Sequence, residues 1–537
     1  MVVITALPYV LAWSVSSNFV GQIYNIVDYS VYLSWTRQAA DGHFATLNLF
    51  TTIKQHGYLF NVLFLTLGAL VRITHLPIPV IFQVVRSVGA VVLLWTAYLL
   101  CRIAYPSSSQ ARLTALGFIA FSSGFGFLYW PKWSDNNAGS FPVDVWQPEA
   151  FTFLSIYTSV LFVVATIFIL LAFYNLIQGE LSGKNVHAVY AGVCGLILGN
   201  IHSYDVLHIA AGWGFYLVAS TAVERNLDKN RLLRAFIAGA LTLPSTVYQY
   251  WVFKHETVFR LRALTPTLSP PLFYYMMGYG LVFFLAVAAV YFLAARKPAM
   301  IGLFRNSNVT AWIVSWAIAG LTIIYLPVEF QRKMAMGEHI PLCILAGGAA
   351  VFMTGYAGQR AQPILLSLLV AATIPSNALF LTREVHHIEC NRSEIAAAPP
   401  FLTNQQLEVY SWIRKNTFPG EAVLALPPIG QFVPGYCDRP VWVGHWSETP
   451  KYGAKINKLV AMLSTNTPDD VRYQFMLKTG TSYLVYPANA SENPISSKHG
   501  PIYLSDFTTS PVPYLTELYR TPSDSSDDGY IIYRINR

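Results

Sequence analysis

Short polar clusters punctuate an otherwise apolar chain, and between them they hold carboxylates, imidazoles and fixed cations. Asp28 is the first acidic residue, in Asn25-Ile26-Val27-Asp28-Tyr29-Ser30, just past an apolar N-terminal stretch. A carboxylate at the mouth of a first membrane helix can hold a proton or a cation at the bilayer surface. Lys54-Gln55-His56 follows, then Glu149 in Trp146-Gln147-Pro148-Glu149 and the turn His202-Ser203-Tyr204-Asp205. Last comes Glu329-Phe330-Gln331-Arg332-Lys333, with Glu338-His339 behind it. Ionisable side chains at a membrane are costly to place, which makes each of these a candidate for function.

Each cluster also has a plain structural reading. Asp205 can cap the helix after it, and Glu149 can complement the dipole of a first turn behind Pro148. Arg332 and Lys333 can be interfacial cations, while Asp28, Lys54 and His56 can be solvated loop residues. What lifts the set is its combination of acids and cations, expected on one side of one membrane. Those types suit the transfer of a sugar from a lipid phosphate. The departing phosphate is an anion that needs cationic stabilisation. Arg grips phosphate oxygens in a planar fork and Lys adds a point charge. An incoming hydroxyl is a weak nucleophile until a carboxylate takes its proton. A second carboxylate can orient the acceptor or help hold a divalent cation such as Mg or Mn.

The elements that must position these groups are mostly membrane helices. Of 537 residues, 54% are hydrophobic and 12% charged, and mean hydropathy is +0.43. Soluble domains run near one quarter charged, so the chain reads as an integral membrane protein. Spanning segments are expected near 3–20, 80–104, 111–130, 151–178, 187–202, 205–223, 233–253, 270–295, 309–327, 338–356 and 362–382, about eleven helices. No basic n-region precedes the apolar start, which reads as an uncleaved first helix. The run 57–74 is at the short limit for a span and follows Lys54 and His56, so it is expected to lie on the membrane.

The net charge of +8 is concentrated in short connections, with no nucleic-acid patch. Basic connections at 102–112, 178–184, 225–234, 296–305 and 358–360 are assigned to the cytoplasm. Segments 131–148 (with Asp135 and Asp144), the His202 turn, 254–269 and 329–338 then fall on the opposite face, with Asp28 if 57–74 does not cross. Five cysteines, Cys101, Cys194, Cys343, Cys390 and Cys437, lack zinc or redox spacing. Cys390 and Cys437 are read as thiols in preference to a pair.

After Arg383 the composition turns polar. Helical spacing at 403–415, 451–463 and 468–478 alternates with strand-like runs at 422–426, 440–444, 482–486 and 530–533. That indicates a small soluble α/β domain at 386–537, on the non-cytoplasmic side, following a transmembrane domain at 1–385.

The chain resembles the GT-C superfamily of polyprenyl-phosphate-sugar glycosyltransferases, with most likeness to the protein O-mannosyltransferase and lipid A aminoarabinose transferase branch. The residues that carry it are Asp28-Tyr29-Ser30-Val31-Tyr32, Asp41-Gly42-His43-Phe44, Lys54-Gln55-His56-Gly57-Tyr58, Arg86-Ser87-Val88-Gly89 and Glu149. The back half, with His202-Ser203-Tyr204-Asp205, Phe330-Gln331-Arg332-Lys333 and Gly444-His445-Trp446-Ser447-Glu448-Thr449, is similar to bacterial membrane proteins of the same general class. A single Asp28 stands where an acidic pair is common, and Lys54-Gln55-His56-Gly57 where the family carries Lys-Pro-Pro.

The resemblance implies an α-helical polytopic GT-C-like fold with interfacial helices in the first loop, plus the C-terminal α/β domain. It implies an inverting sugar transfer from a polyprenyl-phosphate donor to an acceptor lipid, glycan or protein hydroxyl, at the inner or plasma membrane of a cell. Asp28 takes the general-base role. Glu149 orients the acceptor or, with Asp28, shares a divalent cation. Arg332, Lys333 and Arg86 bind the donor phosphate, and Tyr29, Lys54, His56, His202, Tyr204, Asp205 and His339 line the cavity. Segment 444–449 is the most polar and unusual part of the C-terminal domain, which is expected to cover the site. The rival classes are a secondary transporter or lipid flippase, and a non-catalytic sugar-lipid binding subunit. Transporters usually carry repeated halves and midplane charges; this sequence has no evident repeat.

Overall fold

Backbone polar groups cannot stay unpaired in lipid, so apolar segments must satisfy them internally as helices. A computed structural model gives the structure of residues 1–130, 132, 139–391, 398–490, 495, 501–522 and 529–537. Asp135 lies outside these described residues. Among them, six helices are long and apolar enough to cross a membrane: Ile78–Ala104, Ser109–Tyr129, Val160–Ser182, Asp205–Glu224, Leu272–Ala294 and His339–Ala371. Shorter apolar helices are Val2–Val15, Val62–Thr74, Val186–Ile201 and Ser307–Ile323.

Each segment expected to span is largely helical, but several stop early or break. The segment expected from 151 breaks at Ser159, whose hydroxyl accepts the Leu161 amide at 3.2 Å to start Val160–Ser182. The segment 362–382 breaks after Ala371 and restarts at Pro375, since a proline favours the first turn of a helix and disfavours helical backbone before it. The run 57–74 becomes helical only at Val62, where Asn61 Oδ1 accepts the amides of Leu63 and Phe64. Its 13 residues rise about 20 Å, short of a hydrocarbon core of about 30 Å.

The chain forms two compact units. The first comprises Met1–Leu11, Phe82–Trp251 and Pro266–His386; the second comprises Ala12–Ile81, Val252–Thr265 and His387–Arg537. In the first, Asp205–Glu224 packs on Ser307–Ile323, Val160–Ser182 on Val186–Ile201, and His339–Thr354 on both Leu272–Ala294 and Ser109–Phe121. Glycine permits one very close crossing. A Cβ on Gly124 would sit 1.8 Å from the Gly278 oxygen, and Gly280 (φ +52°) kinks the Leu272–Ala294 helix there. Asp144, fully buried, accepts the Gly124 and Gly126 amides at 2.9 and 3.1 Å and fixes the same corner.

In the second unit, a four-stranded sheet is built from β1 (Val423–Ala425), β2 (Tyr483–Pro487), β3 (Leu515–Arg520) and β4 (Tyr530–Ile535), in the order β1-β2-β4-β3. β1 and β2 run parallel with Leu424 opposite Leu484, while β4 is antiparallel to both β2 and β3. Leu424, Leu484 and Ile531 join Leu459, Leu463 and Met476 from the flanking helices in a buried core. Residues 440–444, expected as a strand, form only an isolated bridge from Val441 to Val423. Pro440 has no amide to offer, and the Gly444 amide goes to the Thr449 hydroxyl. β3 went unrecognised because it is an edge strand, largely exposed and carrying Glu517 and Arg520. Among the described residues, neither Cys390 nor Cys437 forms a disulfide.

Candidate active site

Asp28 lies in the first turn of the Ile26–Ala40 helix, where a carboxylate complements the helix dipole. Asn25 precedes that helix in a left-handed conformation (φ 57°), one that asparagine tolerates. Its Nδ2 donates to Asp28 Oδ2 at 2.9 Å. Helix Ile429–Cys437 packs against the same helix. Gln431 donates to the Val27 oxygen and to Ser30 Oγ, and a Cβ on Gly435 would lie 2.7 Å from Leu33 Cδ2. Tyr29 is buried beside Asp28.

The other Asp28 oxygen, Oδ1, is 3.2 Å from His445 Nε2. His445 stands in the 444–449 turn, which is tied down on every side. Thr449 Oγ1 accepts the Gly444 and His445 amides and donates to the Phe50 oxygen at 2.8 Å. Glu448, almost fully buried, receives Arg262 Nε at 2.7 Å and Asn48 Nδ2 at 3.0 Å. The Arg262 guanidinium lies 5.5 Å over the Trp35 ring. His56 lies farther along the first loop. Its amide donates to Glu256 Oε1 at 2.8 Å, and its Nδ1 is 3.6 Å from Glu256 Oε2. Lys54 is exposed.

The first unit gathers another group. Turns Pro148–Ala150 and Gln331–Ala335 pack together, and Glu149 and Arg332 both act electrostatically on Tyr275. The Arg332 guanidinium lies 5.4 Å over Trp146, and its buried Nε makes no hydrogen bond among the described residues. The Lys333 ammonium lies 4.8 Å over Tyr204, whose ring also meets Phe330 at 4.6 Å. In the same turn, His202 Nδ1 is 2.8 Å from Asp205 Oδ2. Glu149, Arg332, Lys333, His202, Tyr204 and Asp205 therefore belong to one neighbourhood.

Arg86 and His339 do not join it. Arg86 is 2% exposed; it donates to Gln83 Oε1, the Ile156 oxygen and the Thr5 oxygen, and lies over Tyr9. That is the work of a helix-packing cation. His339 is enclosed by Ser122 Oγ at 2.8 Å, Thr152 Oγ1 at 3.1 Å and the rings of Phe151 and Tyr279. The sequence reading missed roles for His445, Glu448, Arg262 and Glu256. The signal for the first two was present in the polarity of 444–449, but their partners are hundreds of residues away.

No family model matches the sequence, and no curated protein matches it significantly. Solved structures do. The oligosaccharyltransferase of Archaeoglobus fulgidus in its apo form aligns with a TM-score of 0.58 at 14% identity, over 91% of this chain and 69% of that one. The AglB oligosaccharyltransferase of Archaeoglobus fulgidus in complex with an inhibitory peptide and a dolichol-phosphate gives 0.53 at 14% identity, over 90% and 69%. The arabinofuranosyltransferase AftD from Mycobacteria gives 0.54 at 14%, covering 100% of this chain and 40% of that one. This chain has the GT-C fold.

A cation site is a separate matter. Among the described residues, no three or more His, Cys, Asp or Glu side chains are grouped to hold a metal. Each Asp28 oxygen already faces an N–H donor. A divalent cation at Asp28 would have to share the carboxylate with these two donors.

Proposed function

We propose that this GT-C protein is a membrane glycosyltransferase that moves a sugar from a polyprenyl-phosphate donor to an acceptor hydroxyl on the non-cytoplasmic face, with inversion. The observation that carries the reading is Asp28. Its carboxylate is hydrogen-bonded at both oxygens, yet its side chain keeps 35% exposure. A carboxylate that is oriented and still reachable is what proton abstraction from an alcohol requires.

In this reaction the acceptor O–H gives its proton to Asp28 as its oxygen bonds to the anomeric carbon. The bond from that carbon to the phosphate oxygen breaks, and polyprenyl phosphate leaves with the electron pair. Arg332 and Lys333 bind the leaving phosphate. Both cations rest on aromatic rings, which holds them without satisfying their donors, so a phosphate gains most from them. Glu149 orients the acceptor; Tyr29, Lys54 and His56 of the second unit, and His202, Tyr204 and Asp205 of the first, are assigned substrate contacts. The C-terminal region contributes to acceptor selection through 444–449. A structure of the archaeal oligosaccharyltransferase in complex with a dolichol-phosphate supports a lipid-linked donor.

The test is transfer itself. Purified protein is incubated with radiolabelled polyprenyl-phosphate hexose and a membrane extract as acceptor source. Label moving to a new product, with polyprenyl phosphate released, supports the reading. Intact labelled donor moved between leaflets without cleavage would instead mark a flippase.

A further inference from the structure

A general base must present a fixed oxygen to its proton donor, and something must do the fixing. Asn25 holds Oδ2 from within the same helix turn. Oδ1 is held from far along the chain, by His445 at 3.2 Å. The chemistry of that contact depends on which imidazole nitrogen carries hydrogen, and the surroundings decide it. His445 Nδ1 lies 3.1 Å from the Ser447 amide nitrogen and 3.2 Å from the Glu448 amide nitrogen. Amides only donate, so Nδ1 is the acceptor and the hydrogen is on Nε2. The N–H then points at Asp28.

We propose that His445 is the positioning residue of the general base: its Nε2–H, locked by the backbone amides of its own turn, aims the Asp28 carboxylate at the acceptor hydroxyl. The inference rests on the transferase reading of Asp28 but adds a dependence that the reading does not contain. The base is complete only when the 444–449 turn is seated.

The setting supports a dedicated role. His445 is 1% exposed while Asp28 is 35% exposed, so the imidazole is a buried back wall to a reachable carboxylate. Its ring packs edge-on against Phe50 and stacks beside Trp446. Glu448, the other charged group of this turn, pairs with Arg262 of the Thr257–Ala263 helix at 2.7 Å. A proton accepted by Asp28 cannot pass to His445, because the Nε2 that faces it already carries a hydrogen. His445 therefore orients and does not relay.

The experiment compares His445→Ala and His445→Gln with wild type and Asp28→Asn in the full chain. Two readouts are used: the pH profile of kcat/KM for transfer from polyprenyl-phosphate hexose, and the infrared carboxyl band assigned to residue 28 by difference against Asp28→Asn. Removing a hydrogen bond to a charged acceptor should raise the acid limb by about one pH unit and lower kcat/KM about 10- to 100-fold. His445→Gln, which returns an N–H near the same place, should recover most of both. The Asp28 band should titrate higher in His445→Ala whether or not transfer is observed, which separates this proposal from the transferase reading. Activity lost in His445→Ala with the acid limb and the infrared midpoint unmoved would overturn it.

Discussion

Asn48 Nδ2 donates at 3.0 Å both to the main-chain oxygen and to the Oε2 of Glu448, two residues separated by 400 positions in the chain. The first loop and the 444–449 turn are thus anchored to each other by the same carboxylate that pairs with Arg262. Replacing Glu448 with Ala removes that anchor. Loss of a largely buried pair should destabilise the second unit by about 2–4 kcal/mol. Thermal unfolding of the purified protein should show a lower midpoint, with Glu448→Gln in between because it keeps the Asn48 contact. An unchanged midpoint in Glu448→Ala would mean that the turn is held by its backbone bonds alone.

Arg332 is the better of the two proposed phosphate cations to test. Its guanidinium rests on Trp146 with a buried Nε that makes no hydrogen bond among the described residues. Arg332→Ala should lower kcat/KM for the lipid donor about 10- to 100-fold, chiefly through KM, with Arg332→Lys recovering part of it. Steady-state kinetics at varied donor concentration decide this. A kcat/KM unchanged in Arg332→Ala would leave it as an interfacial cation.

Asp144 gives a pH signature of folding. Burial pushes its carboxyl up from 3.8 to about 6, against the opposing pull of the Gly124 and Gly126 amides. The folded state therefore binds this proton more tightly than the unfolded chain does. Its contribution to stability is present in full below about pH 4 and is lost as pH rises through about 6, a change of about 3 kcal/mol. Asp144→Asn is neutral throughout and keeps an oxygen for the amides. From pH 4 to pH 7, unfolding midpoints should shift in favour of Asp144→Asn relative to wild type. A difference between the two that stays constant with pH would contradict the assignment.

Much of this architecture was legible because membrane helices announce themselves by composition. The segments at 80–104, 205–223 and 270–295 lie within a few residues of the helices Ile78–Ala104, Asp205–Glu224 and Leu272–Ala294. Their breaks were less visible. Ser159 is a cap only because Leu161 is in reach, and Pro375 restarts a helix inside a segment that reads as one span. Asp28 stood out as a lone acid after an apolar stretch. Its partner did not, since a contact between Asp28 and His445 spans 417 positions and leaves no local pattern. Arg86 shows the converse. Its place at a helix opening pointed to phosphate, whereas its donors face the Ile156 and Thr5 oxygens within the helix packing. A single sequence shows residue type and local spacing; it does not show which of two arginines, Arg86 or Arg332, has its donors taken up by the fold.

The most direct measurement of the central claim is the transfer rate of Asp28→Asn, with expression, thermal midpoint and donor KM recorded alongside. Asparagine keeps the size and the hydrogen-bonding reach of the side chain but cannot take a proton at this position. The account predicts kcat reduced about 10²- to 10⁴-fold with the donor KM and the midpoint near wild type. Turnover close to wild type in that variant would contradict it, whatever the fold.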